Sequence, residues 1–316
     1  MRSIFTVSML SVRSLSTGVW VILALLVASG FALWLTTPAP HDSMQMWVFS
    51  PEHQAMYAPL IDQAEDRGLD DLELTILSIA AIKSRMMSGF FGGLPTADLI
   101  EVERATVGQA FMGPREAIGF RDLTDRLKSE GLLDLFNPPS LSPWSVDGHI
   151  YGLPHDVHPV MLAYRADLVE AAGIDLSKAT TWKEYFALLQ PMMSDQDGDG
   201  RPDRYPLSFW YTQQDNIELL FLQGDGQLFD QNGVPTVNSA RNASLLAEIV
   251  SWCIEPNRYA TDIDEFSAVG HQARVEGKAI GYLAPDWMCS IWRMHVPGIA
   301  GKMKVMPLPA FEPGGR

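Results

Sequence analysis

Residues 147–173, DGHIYGLPHDVHPVMLAYRADLVEAAG, decide how this chain is read. Asp147-Gly148 is a turn dipeptide, and the strand-like run His149-Ile150-Tyr151-Gly152-Leu153 follows it. A polar break comes next, Pro154-His155-Asp156-Val157-His158-Pro159. Proline fixes φ and has no amide donor, so Pro154 and Pro159 keep the middle out of any sheet. A second apolar run, residues 160–164, then leads into a helix that stops at Gly173. A strand that leaves one sheet, crosses polar backbone and enters another is how a two-lobed protein wires its hinge.

Working outward, the bulk properties are compatible with that reading. The chain has 316 residues, 47% hydrophobic and 19% charged, enough to bury a large core and more than one domain. A net charge of −15 opposes approach to phosphate backbones, which argues against nucleic acid as a partner. Two cysteines, Cys253 and Cys289, make no metal framework and at most one disulfide. Cys253 follows Ala243, Leu246 and Val250 at helical spacing, so a buried thiol is expected.

Residues 1–40 read as a targeting segment. Arg2 and Arg13 precede residues 14–40, which carry no charge, and the apolar heart is 19–35, VWVILALLVASGFALWL. A basic flank before an acidic domain fits a positive-inside start with everything downstream exported. Thr37-Pro38-Ala39 and Ala28-Ser29-Gly30 are candidate cleavage sites, and Pro40 opposes the first. The segment has no cysteine to accept a lipid, and its apolar run is near the ~20 residues needed to span a bilayer. An uncleaved membrane tether at 14–40 is the expectation.

From residue 44 the pattern is βαβα, which implies a parallel α/β sheet. Residues 44–49, 72–77 and 98–102 read as strands, with Ser50-Pro51 and residues 79–88 starting and forming the intervening helices. Residues 120–136 read as helical cover and 137–144, with three prolines, as a loop. Thr181 with Glu184 makes a capping box. Residues 215–223 and 239–253 read as helices, the latter placing the sequon Asn242-Ala243-Ser244 inside a helix where it stays idle. Residues 279–283 read as a strand.

IYGLP at 150–154 with VMLAYRADLVEAAGI at 160–174 resembles the lobe-crossing segment of the extracellular solute-binding proteins of ABC importers, in the large sugar-binding, maltose-binding-protein-like group. WVFSPEH at 47–53 and PTADLIEVE at 95–103 resemble that family's opening, TWKE at 181–184 its recurrent helix start, and GKAIGYLAPDW at 277–287 its return from strand to ligand loop. The single motifs are short, and their order carries the likeness over residues 44–316. The resemblance implies a two-lobed α/β clamshell of type II, with a first lobe at 41–155, a second at 156–278, and 279–316 returning to the first lobe where the chain ends short of a complete binding protein. It implies capture of a carbohydrate or related polar solute between the lobes and delivery to ABC permease subunits, with no reaction catalysed and no cofactor for activity.

A sugar site needs flat apolar faces for the C–H surfaces and paired acceptors for hydroxyls, which aromatics and Asp, Glu, Asn or Arg supply. Strand ends are where α/β sheets place ligands. The candidates by position are Phe49 and Ser50, then Glu101, Glu103 and Arg104, then Asp156 and His158 at the crossing. Trp210 and Asp215 follow in the second lobe, and Asp286 and Trp287 on the return. His155-x-x-His158 sits in extended, proline-flanked chain without helix spacing and is not read as a metal site. Asp195, Asp197, Asp199 and Asp203 around Gly200 place hard oxygens as Ca²⁺ requires, although Pro206 stands where the usual bidentate Glu would be. A structural Ca²⁺ is one reading of that loop, and a solvated acidic turn is the other. Two rivals stand beside the importer subunit. A secreted glycoside hydrolase would pair Glu101 or Glu103 with Asp156 or Asp286, and an anchored sensor would keep the binding fold without transport.

Overall fold

The computed structural model describes residues 16–36, 43–62, 72–195, 197–230, 232–256 and 258–315. The basic residues Arg2 and Arg13 and the cleavage candidate at 37–39 lie outside them. The first element is helix α1 (Thr17–Thr36), 20 residues without a charged side chain. Its side chains are described through Ala32, and among the described residues no helix is long and apolar enough to cross a membrane.

The chain divides into two compact units, residues 1–155 and 156–316, so the division falls inside the proline-bounded break. In the first unit the order is β1 (Met44–Val48), α2 (Pro51–Asp62), β2 (Leu72–Ile76), α3 (Ile79–Gly92), β3 (Leu99–Ile100) and α4 (Arg104–Ala110). The three strands form one parallel sheet in the order β2-β1-β3, as the βαβα rhythm requires. Val48, Ile82, Met86 and Val107 are buried in this unit. Expected strand 98–102 is only two residues long, Leu99–Ile100, flanked by the Asp98 carboxylate accepting from the Gln45 amide (2.9 Å) and the Glu101 amide donating to the Trp47 carbonyl (2.9 Å).

Then come α5 (Thr124–Ser129), α6 (Pro138–Leu141), β4 (Ser145–Val146) and β5 (His149–Ile150). The expected helical cover over 120–136 is one short α-helix followed by a 3₁₀ turn at Leu133–Leu135, since Gly131 adopts a left-handed φ of 68°. The proline-rich 137–144 is not plain loop: Pro138 opens the single turn of α6, where its missing N–H costs nothing. Asp147 (φ 49°) and Gly148 (φ 78°) close the two-residue hairpin between β4 and β5, with Val146 opposite His149.

The second unit contains β6 (Val160–Arg165), α7 (Ala166–Ala171), α8 (Trp182–Leu189), β7 (Tyr205–Ser208), α9 (Gln214–Gln223), α10 (Ala240–Cys253), β8 (Ala260–Thr261), α11 (Ala268–Glu276), β9 (Ala279–Pro285), α12 (Met288–His295) and β10 (Met303–Met306). Its five-stranded sheet has the order β10-β6-β9-β7-β8. Only β6 runs against its neighbours. Residues 279–316, expected to return to the first lobe, instead supply a central strand and an edge strand here. Ala279 to Ala284 are buried without a break, as a strand covered on both faces must be.

An aromatic core lies under this sheet. Trp182 and Tyr185 are fully buried and pack with Phe186 and Trp252, and Tyr185 donates its hydroxyl to the Pro206 carbonyl at 2.8 Å. The capping box is formed. Thr181 Oγ1 accepts from the Glu184 amide (3.2 Å) while Glu184 Oε2 accepts from the Thr181 amide (3.0 Å). Asn242 is 1% exposed and its Nδ2 donates to the carbonyls of Gln227 and Thr236, so the sequon nitrogen is spent inside the fold. Both cysteines are free. Cys253 is half-buried and Cys289 exposed.

Candidate ligand-binding site

In the first unit the parallel pairing of β1 and β3, Trp47 beside Ile100, sets the loops after both strands side by side. Phe49 and Ser50 follow β1, and Glu101, Glu103 and Arg104 follow β3. Glu101 is the centre. It is 9% exposed, and its Oε2 accepts from the Phe49 amide at 3.2 Å. Its Oε1 lies 2.6 Å from His53 Nδ1 and 3.0 Å from His155 Nδ1. Phe49 meets the His53 ring edge-on at 5.1 Å. Ser50 caps α2, accepting from the Glu52 amide at 3.1 Å, and its hydroxyl donates to the Glu52 carboxylate. Glu103 occupies the N-cap position of α4 and Arg104 its first turn, both exposed.

In the second unit the reversed direction of β6 decides the geometry. The start of β6 sits beside the end of β9, Val160 opposite Pro285, so Asp156 and His158 reach the carboxyl ends of β7, β8 and β9. His158 Nδ1 lies 2.5 Å from Asp286 Oδ1 and its Nε2 lies 2.9 Å from Asp156 Oδ2. Asp286 Oδ1 also accepts from the Trp287 amide at 2.9 Å. The three residues are exposed and form a carboxylate–imidazole–carboxylate row.

Beside that row stands a run of aromatics. Phe266 stacks on Trp287 with centroids 6.0 Å apart and planes 6° from parallel, and meets Trp210 at 5.6 Å and 69°. Trp287 is half-buried and packs in part on the cluster of Ala284, Met288 and Trp292. The structure thus joins Asp156, His158, Asp286, Trp287 and Trp210 at one sheet end. Asp215 lies in the exposed first turn of α9 and accepts from Gln213 Nε2 at 3.1 Å. Chemically, the row offers acceptors for hydroxyls and the aromatics offer apolar faces.

Phe266 and His53 escaped the sequence reading, and His155 enters it only in the pair with His158 that is not read as a metal site. Phe266 follows a two-residue strand that leaves no periodic signal. His53 and His155 are separated by a hundred residues of chain, and only the sheet brings them to one carboxylate. His155 and His158, neighbours in sequence, take different partners.

The Asp loop is compact. Asp195 accepts from the amides of Gly198 (2.7 Å) and Gly200 (2.9 Å), which hold its carboxyl below the usual carboxylate range. One oxygen each of Asp195, Asp197 and Asp203 lie within 4.8 Å of one another. Asp199 instead accepts from the Arg201 amide at 2.8 Å.

Several solved structures share this fold. The β-1,6-galactobiose complex of an ABC transporter associated binding protein from B. animalis subsp. lactis has a TM-score of 0.65 at 19% identity, covering 85% of this chain and 63% of that one. The sugar-binding protein MalE of Xanthomonas citri has a TM-score of 0.64 at 18% identity, covering 85% and 67%. The fold is therefore the α/β fold of the maltose-binding-protein-like, type II class. Residues 91–287 match the bacterial extracellular solute-binding protein family, and the chain belongs to it. Arabinooligosaccharide-binding proteins are similar too: that of Halalkalibacterium halodurans is 21% identical over 85% of this chain and 59% of its own length. That of Bacillus subtilis is 22% identical over 93% of this chain and 66% of its own. The chain spans less than two thirds of either.

Proposed function

We propose that this chain is an extracytoplasmic binding subunit that captures an oligosaccharide or related polar solute and hands it to an ABC permease. The observation that carries the reading is the aromatic set Trp210, Phe266 and Trp287 beside the Asp156–His158–Asp286 row. The names of both curated relatives and of the sugar-binding neighbours support the solute class. The mechanism is a population shift: the solute favours whichever conformers of the protein bind it more tightly.

Two further readings belong to this proposal. Residues 14–40 carry no charge and follow Arg2 and Arg13, and this sequence pattern supports reading them as a tether that holds the exported protein at the cytoplasmic membrane. Asp195, Asp197, Asp199 and Asp203 hold one structural Ca²⁺, supported by the three carboxylate oxygens that already converge.

The test is a thermal-shift and calorimetric screen of the purified protein against arabino-, malto- and galacto-oligosaccharides. A sugar present at 100 times its Kd stabilises by about 2.7 kcal/mol. No shift with any of them overturns the sugar reading, and release of reducing ends from the oligosaccharides would move the protein to the hydrolases.

A further inference from the structure

We propose that His53, Glu101 and His155 form a binding site for one divalent transition-metal ion of the Zn²⁺ type. The proposal goes beyond the sugar reading and does not depend on it.

The donors come from the first unit alone. His53 lies in the first turn of α2, Glu101 directly after β3, and His155 at the end of the unit. One donor atom from each lies within 4.8 Å of the others. Both imidazoles bring Nδ1 to the same carboxylate oxygen, at 2.6 Å and 3.0 Å. The first of these is not an ordinary hydrogen bond: His53 Nδ1 is shut off from solvent, yet the contact lacks hydrogen-bond geometry. A donor atom that is buried, aimed at a carboxylate oxygen and poorly aligned for a proton suits an ion shared between them.

The surroundings hold the three groups in place. The Phe49 amide fixes Glu101 Oε2, leaving Oε1 to face the imidazoles. Phe49 packs edge-on against His53 at 5.1 Å, His53 against His155 at 4.6 Å, and Tyr57 lies over His155 at 5.3 Å. Side-chain exposure is 7% for Glu101, 20% for His53 and 22% for His155, so the site is enclosed but reachable. Metal–donor distances of about 2.0–2.1 Å put tetrahedral donors about 3.3–3.4 Å apart, within side-chain adjustments of roughly an ångström from the separations seen. Two imidazoles and one carboxylate choose Zn²⁺, Co²⁺ or Ni²⁺ over Mg²⁺ or Ca²⁺, which want oxygen throughout. Three protein ligands leave one position open for water or a ligand oxygen.

The experiment uses the whole chain stripped with chelator. Equilibrium dialysis against ZnCl₂, read by elemental analysis, should return one bound equivalent, and Co²⁺ loading should give visible d–d absorption. His53→Ala, His155→Ala and Glu101→Gln should each weaken binding at least tenfold, and His295→Ala should not. In the unmutated protein, Zn²⁺ should protect His53 and His155, but not His271 or His295, from diethylpyrocarbonate mapped by mass spectrometry. This last arm needs no variant to fold. Absence of bound metal, binding that all three variants keep, or unprotected His53 and His155 would each overturn the site and leave a hydrogen-bonded triad.

Discussion

At the scale of single residues, Trp287 has two jobs that can be separated. It leans on the buried cluster around Trp292 and stacks on Phe266, which is 54% exposed. Trp287→Ala should weaken sugar binding by about 2 kcal/mol or more, as an aromatic anchor does, and cost less stability than the about 3–5 kcal/mol of a core Trp. Phe266→Ala should lower affinity with little loss of stability. Calorimetry beside chemical denaturation reads both, and affinity kept in both variants would remove the aromatic set from the site. Arg274 is a different case: it is fully buried, ion-paired to Glu265 and held over Tyr282 (5.0 Å) and Trp292 (5.2 Å). Burial pushes the Glu265 carboxyl up while Arg274 pulls it down. Arg274→Ala leaves an uncompensated buried acid and should cost about 3–5 kcal/mol in urea unfolding.

Asp122 gives the pH dependence with a definite sign. It accepts from Thr124 Oγ1 (2.6 Å) and the Thr124 amide (2.9 Å), and His149 Nδ1 lies 2.6 Å away. The Thr124 bonds, then His149, lower its carboxyl from 3.8 to about 2. A depressed folded-state value means the stabilisation is present above the unfolded value and is lost as pH falls through the folded one. The Tm gap between the parent and Asp122→Asn should therefore persist near neutrality and close between about pH 4 and about pH 2. A gap independent of pH across that window would show that the carboxylate charge contributes nothing.

At the scale of elements, the Asp loop and the reversed strand matter most. If the loop holds Ca²⁺, chelator should lower Tm without abolishing sugar binding, and Asp195→Asn should remove that sensitivity. Calcium analysis finding no bound ion in protein purified in excess calcium would leave a turn held by its Asx bonds to Gly198 and Gly200. Asp197 and Asp203 also line a groove with Arg204, Glu276 and Lys278. The reversed β6 is what lets residues before one strand meet residues after three others.

At the scale of the whole molecule, the proposed tether predicts a membrane-held protein. Full-length protein expressed with its first 40 residues should sediment with membranes, resist carbonate extraction and release with detergent. N-terminal sequencing should return the uncleaved start. Soluble protein beginning downstream of residue 30 or 40 would make the segment a removable signal instead.

The sequence by itself determined the break at 154–159, the Asp147-Gly148 hairpin, the Thr181–Glu184 capping box and the βαβα order of the first unit. Those features are local, set by φ restriction, turn chemistry and side-chain-to-backbone bonds within a few residues. Tertiary structure alone decided that β9 and β10 join the second unit's sheet, because strand pairing is a non-local choice that buried runs permit but do not direct. It also decided which polar residues meet. His155 and His158 stand three apart, yet one turns to Glu101 and the other to Asp286, since each follows the strand ends packed nearest to it.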